Sequence, residues 1–236
     1  MAQNEMTRDP ALAGPVADER VGAFLQAVYG WMSGGLAITA LTAWFVASSP
    51  ALVTTIATNR PVFWGLIIAQ FGIVLLLSAR VQKLAASTAS LLFVAYSALT
   101  GVTMSFVLLA YTGESVATTF LITAGMFGSL ALYGTVTSRS LAPFGQALFM
   151  GLIGVVLASF VGMFWQSDAL QFVISCAGVV VFAGLAAYDA QRLKAMALAT
   201  PSGAAGSYAI VGALALYLDF INLFLFLLRF LGNRRE

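Results

Sequence analysis

Apolar residues run along the chain in seven long blocks, at roughly 23–47, 62–80, 85–110, 115–137, 143–165, 169–197 and 208–231. A helix crosses ~30 Å of hydrocarbon with about 20 mostly apolar residues, and the blocks are of that length. The breaks between them read as turns: Ser48-Ser49-Pro50 and Arg60-Pro61, Gly113-Glu114, Arg139 with Pro143, Gln166-Ser167-Asp168, and Pro201 to Gly206. The pattern therefore predicts an all-α integral membrane protein of seven transmembrane helices. One membrane domain over 23–232 is expected between a polar cytoplasmic tail at 1–22 and a short polar tail at 233–236. The first block also admits a reading as a signal peptide, with VASS at 46–49 as its cleavage site. Its apolar run of about 25 residues exceeds the ~7–15 of a signal-peptide core, so a retained first helix is expected.

Composition narrows the function classes. Apolar residues make up 61% of the 236 and charged residues 8%, against roughly 25% charged in a soluble domain, so lipid is the main solvent of this chain. The formal charge of +2 comes with no basic face, which excludes a nucleic-acid surface. Histidine is absent, and with it Ser-His and Cys-His catalysis, histidine metal sites and the usual physiological pH switch. The single Cys176 has no partner for an intramolecular disulfide or a thiolate cluster. Small residues such as those of GWMSGG at 30–35 and GLIG at 151–154 let helices approach closely in lipid. A phosphate loop would need a soluble helix and a lysine beside such glycines, so no nucleotide cofactor is expected. No internal repeat is visible, and an odd helix count fits poorly with two inverted halves.

Alternating the loops across the bilayer places Arg8, Arg20, Arg80, Lys83, Arg139, Arg192 and Lys194 on the side of the N-terminus, and Arg60, Glu114 and Asp168 on the other. The positive-inside rule makes the N-terminus cytoplasmic. Arg229, Arg234 and Arg235 dissent: either the early loops set the orientation and the tail is carried across, or the last segment does not fully cross.

Two acidic residues lie within the blocks, Asp189 in AAYDAQRLK and Asp219 in LYLDFINLFLFLLRFLG. An ionised carboxylate at a helix centre costs roughly 2.5–3.5 kcal/mol even on lenient insertion scales, so both call for a reason. If the sixth and seventh helices form a hairpin about PSGAAG at 201–206, each Asp lies about 12 helical residues, or ~18 Å, from the turn. They are expected to be level and to face the bundle interior. Two level carboxylates in a poorly solvated site do not both ionise cheaply, so the pair is expected to share a proton and to sense pH without histidine. Arg80, at the cytoplasmic end of the second helix, is a candidate bidentate partner if it reaches into the bundle, and otherwise snorkels to lipid phosphates. Arg192 and Lys194, within a turn of Asp189, are rival partners. Tyr188 and Tyr217 flank the pair as candidate hydroxyl donors or as interfacial anchors.

At these residues the chain resembles the Bax inhibitor-1/YccA family of transmembrane Bax-inhibitor-motif proteins, in a bacterial form. YDAQRLK at 188–194 is similar to the signature of its sixth helix, and LYLDFINLFLFLLRFLG at 216–232 to its closing helix. The likeness spans residues 22 to 232, including the Arg80 position and LFMGLIG at 148–154. It departs at SRSLAPFG, where Ser140 stands in place of an acid common in bacterial members. The resemblance implies a bundle whose seventh helix is surrounded by the other six, in a bacterial inner membrane. It also implies a pH-sensitive calcium leak, closed by Asp189 and Asp219 as a dyad and by Arg80 as a latch. Calcium is then a transported or weakly held ion at Asp189 and Asp219, since two carboxylates leave most of its six to eight oxygen ligands to carbonyls or water.

Two other functions compete with a leak. The resemblance also links such proteins to restraint of a membrane quality-control protease and to suppression of cell death, roles that need a membrane-protein partner and no transport. An intramembrane aspartyl protease likewise sets YD on one helix against an Asp on the next. Here Leu216-Tyr217-Leu218 replaces the Gly-x-Gly usual before the second Asp, and no Pro-Ala-Leu follows, so no enzyme is expected.

Overall fold

The structure is a computed structural model that describes residues 10–81, 83–165, 167–201 and 204–235. Residues 1–9 of the expected N-terminal tail, Gln166 and Ser202-Gly203 of the expected turns, and Glu236 lie outside the described residues. The described residues form eight helices: α1 Pro10–Ala47, α2 Pro50–Thr58, α3 Arg60–Arg80, α4 Ala86–Ala110, α5 Gly113–Val136, α6 Ala142–Phe164, α7 Asp168–Ala199 and α8 Ala205–Leu231. All but α2 are long and apolar enough to cross a membrane. Helices suit this solvent because each satisfies its own backbone polar groups where water is absent.

Local chemistry sets the boundaries. Pro50 opens α2 after the break at Ser48-Ser49, and the hydroxyls of Thr54, Thr55 and Thr58 donate to carbonyls four residues back, at 2.8 Å each. Asn59 then caps α3, its Oδ1 accepting from the Val62 amide at 3.3 Å with Pro61 in the first turn. Thr112 caps α5 and Ser167 caps α7 in the same way. The first helix runs back to Pro10, well before the expected start at residue 23, and the short α2 occupies what reads in the sequence as a loop.

The last helix is the centre of the bundle. In its most apolar stretch 61% of residues are buried, against 6% to 33% in the other six spans. It packs against α7, α1, α5 and α4, while α3 leans on α4 and α6 on α7. Large apolar side chains such as Leu41, Trp44, Ile68, Phe71, Leu121 and Phe160 cover the outside, where lipid meets them. Because lipid tails are as apolar as Leu, close packing holds these helices together. Gly134 of α5 shows how close: a Cβ there would run into the Ala187 carbonyl of α7. Gly134→Ala is expected to cost about 1–3 kcal/mol and lower the melting temperature in detergent, whereas Gly125→Ala, with open space at its Cβ, leaves it unchanged.

Contacts between the ends sort the loops into two sets. Arg20 of α1 donates to the Thr200 carbonyl (3.2 Å), and Lys194 of α7 to the Thr135 carbonyl (3.0 Å), so the N-terminal part of α1, the α5–α6 turn and the α7–α8 turn share one end. The C-terminal residues lie at the other end. The Thr112 amide donates to the Asn233 carbonyl (3.1 Å) and the Arg235 amide to the Ala110 carbonyl (3.0 Å), clipping the tail to the α4–α5 turn. The last helix therefore runs the length of the bundle, and Arg229, Arg234 and Arg235 lie at the end opposite the N-terminal part of α1.

Candidate functional site

The hairpin of α7 and α8 brings Asp189 and Asp219 together. Their carboxyls are within hydrogen-bonding reach of each other, in the interior of the bundle. Asp219, on the central helix, is 6% exposed, and its Oδ2 has no hydrogen-bond partner among the described residues. Asp189 is half-buried and lines a cavity of about 380 Å³ that also touches Arg192, Tyr208, Ser78 and Met196. Thus Asp219 is shielded behind Asp189, and Asp189 faces a pocket at the end of the bundle that carries the α7–α8 turn. One turn beyond Asp219 toward the opposite end, Leu223 is fully buried, and Phe220, Phe224, Leu227 and Leu228 close the core around it. The pair sits between a pocket that carries Asp189, Arg192, Tyr208 and Ser78 on otherwise apolar walls and an apolar plug.

The other sequence candidates take different places. Arg192, three residues along α7 from Asp189, lies on the same side of that helix and lines the same cavity. Arg80 is exposed at the end of α3, while Ser78 and Val81 beside it line the cavity. Lys194 is exposed and engaged with the Thr135 carbonyl. The Tyr188 ring lies against Gly145 of α6, close enough that a Cβ there would sit 2.6 Å from it. Tyr217 is fully buried and its hydroxyl is 2.6 Å from Thr39 Oγ1, which itself donates to the Gly35 and Ser97 carbonyls. The hydroxyl of Thr39 is thus spent on the two carbonyls, and the Tyr217 hydroxyl is the donor in their bond. Its ring stacks edge-on with Phe93 and Tyr96, so Tyr217 ties α8 to α1 and α4. Tyr217→Phe is expected to cost about 1–2 kcal/mol in detergent melting and to leave any ion flux unchanged.

Sequence reasoning missed Tyr208, Met196 and Ser78 as cavity walls. A signal existed for Tyr208: it lies 11 residues before Asp219, three helical turns, and so on the same side of α8. Ser78 carries none, because its position depends on how α3 leans. Among the described residues no three His, Cys, Asp or Glu side chains cluster as a metal-ligand set, so a cation at the pair has two carboxyls and no third acid.

Comparison with known proteins places the chain in a family. The family described as inhibitor of apoptosis-promoting Bax1 matches residues 21–236. The inner membrane protein YbhL of Escherichia coli K12 is 51% identical over 215 residues, covering 90% of this chain and 92% of that protein. A protein of Borreliella burgdorferi is 45% identical over 215 residues, covering 90% and 93%. One of Deinococcus radiodurans is 42% identical over 237 residues, covering 100% and 98%. With seven apolar spans, the last of them at the centre of the bundle, and matches over nearly its whole length, this chain is a multi-pass membrane protein that belongs to the Bax inhibitor-1 family.

Proposed function

We propose that the protein is a pH-sensitive leak for calcium, gated by the proton held between Asp189 and Asp219. The observation that supports this most is the orphaned Oδ2 of a buried carboxyl set against a second carboxyl on the neighbouring helix. Two like charges at ~4 Å repel by about 4 kcal/mol at an effective dielectric of 20, so one shared proton keeps the packed arrangement and a change in proton count strains it. The cavity on Asp189 gives water and ions a way to the pair from one end, and Leu223 with its neighbours blocks the other. Calcium would meet too few protein oxygens to be held tightly, which suits passage better than storage.

In this reading Arg192 supplies the balancing charge beside Asp189, and the latch part implied for Arg80 passes to it while Arg80 stays at the lipid interface. The N-terminal end is cytoplasmic by the arginine and lysine count, and the membrane is a bacterial inner membrane like that named for the Escherichia coli relative. The test is calcium flux into dye-loaded liposomes as a function of pH. Arg192→Gln is expected to shift the midpoint of the flux profile toward alkaline pH by less than about one unit, since it removes an exposed cation that favours an ionised Asp189. Arg80→Gln is expected to leave the midpoint in place. A shift in Arg80→Gln alone reverses the assignment.

A further inference from the structure

At the end of the bundle away from the carboxyl pair, a polar pocket of about 930 Å³ lies between the α6–α7 turn and the last turn of α8. Its charged walls are Arg229, Arg234 and Asp168, with Gln171 between them and Phe172 and Phe230 as its apolar side. None of these has a part in the proposed leak. Among the described residues Arg229 pairs with no acid: its Nη1 donates to the neutral Gln171 Oε1 at 3.4 Å, and its guanidinium lies 5.7 Å from the Phe226 ring centroid. Gln171 is itself anchored, its Nε2 donating to the Gly162 carbonyl at 3.3 Å. Arg234 is held 5.9 Å over the Tyr111 ring by the clipped C-terminal tail. Asp168 is the first residue of α7, where the Ser167 side chain already accepts from the Leu170 amide.

The location is the rim of the hydrocarbon, where α7 begins and α8 ends. An arginine free to snorkel needs no pocket, whereas here two guanidiniums are steered over aromatic rings and a carboxylate stands on the same wall. Among the described residues the pocket offers two guanidiniums for a phosphate and one carboxylate for an ammonium, so both charged groups of such a headgroup find an opposite charge. Guanidiniums bind phosphate through paired, charge-assisted hydrogen bonds, and a carboxylate accepts from an ammonium. The tilted Phe172–Phe230 pair, with ring centroids 5.5 Å apart, supplies the apolar side that the glycerol and first acyl carbons require. We propose that this pocket seats one phosphatidylethanolamine-type lipid, with Arg229 and Arg234 on the phosphate and Asp168 on the ammonium. A phosphatidylglycerol headgroup satisfies the arginines and leaves Asp168 facing a neutral alcohol.

Native mass spectrometry of the full chain in detergent, with phosphatidylethanolamine and phosphatidylglycerol added in equal amounts, tests this. The parent is expected to retain the ethanolamine lipid preferentially. Arg229→Gln is expected to weaken that retention roughly tenfold, the loss of one charge-assisted contact. Asp168→Asn is expected to abolish the preference while keeping phospholipid bound, a change that general misfolding does not produce. Melting temperatures equal to the parent's establish that both variants are folded. Equal retention of the two lipids by the parent, or parent-like retention by Arg229→Gln, overturns the proposal. Displacement of the lipid by inorganic phosphate as effectively as by soluble glycerophosphoethanolamine also overturns it, making the pocket a site for the free anion.

Discussion

Asp219→Asn is expected to give a protein that leaks calcium slowly and at the same rate at every pH. The carboxamide has the shape of the carboxyl it replaces and a permanent N–H donor, so it holds Asp189 as a protonated Asp219 does. The packed arrangement is then fixed by chemistry that does not titrate. In the parent, by contrast, the flux should change on the order of tenfold as the pair exchanges its proton, because the like-charge repulsion of about 4 kcal/mol far exceeds the 1.4 kcal/mol that a tenfold change requires. Asp189→Asn is expected to act the same way, since either residue suffices to remove the shared proton. The check is liposome flux at matched protein content for the parent and both variants. A variant whose flux still follows pH as the parent's does would remove the pair from the gate.

Leu223→Ala is expected to do the reverse, raising flux at all pH values about tenfold while the pH profile keeps its shape, the effect of lowering a barrier by ~1.4 kcal/mol. Leu223 follows Asp219 by four residues, is fully buried, and belongs to the apolar closure with Phe220, Phe224, Leu227 and Leu228. Truncating it opens space in the dry segment that a hydrated ion must cross. It also costs packing, ~2–5 kcal/mol for a buried leucine, so flux is to be compared on protein shown to be monodisperse and folded. Leu225→Ala, a half-buried position on the same helix, serves as the control and is expected to leave flux unchanged.

The seven spans were legible because lipid imposes length and hydropathy on every crossing, and the observed helices α3 to α8 start and stop within three residues of the apolar blocks. The short α2 was not, since nine residues with three threonines carry no transmembrane signal, and only the Pro50 and Asn59 cues mark its ends. The depth of Asp189 and Asp219 followed from hairpin symmetry. Which way each side chain turns depends on packing, and helical spacing anticipates part of it. Arg192 lies three residues from Asp189 and shares its side, while Tyr217 lies two residues from Asp219 and turns away, to Thr39. The clipping of the C-terminal tail rests on backbone hydrogen bonds between residues more than 100 positions apart, which no local pattern encodes. Two of the three arginines that depart from a simple charge count are seated at that end: Arg234 over Tyr111, where the clip holds it, and Arg229 beside Phe226 and Gln171.

The shared proton can be seen without any ion moving. Infrared spectra of the protein in lipid nanodiscs, recorded across a pH titration, report a protonated carboxyl as a separate carbonyl band. One such band is expected at neutral pH, disappearing on titration to alkaline pH and absent from an Asp189→Asn, Asp219→Asn double variant. A parent spectrum with no protonated carboxyl at neutral pH, or a band that survives in the double variant, rules out a proton shared between Asp189 and Asp219.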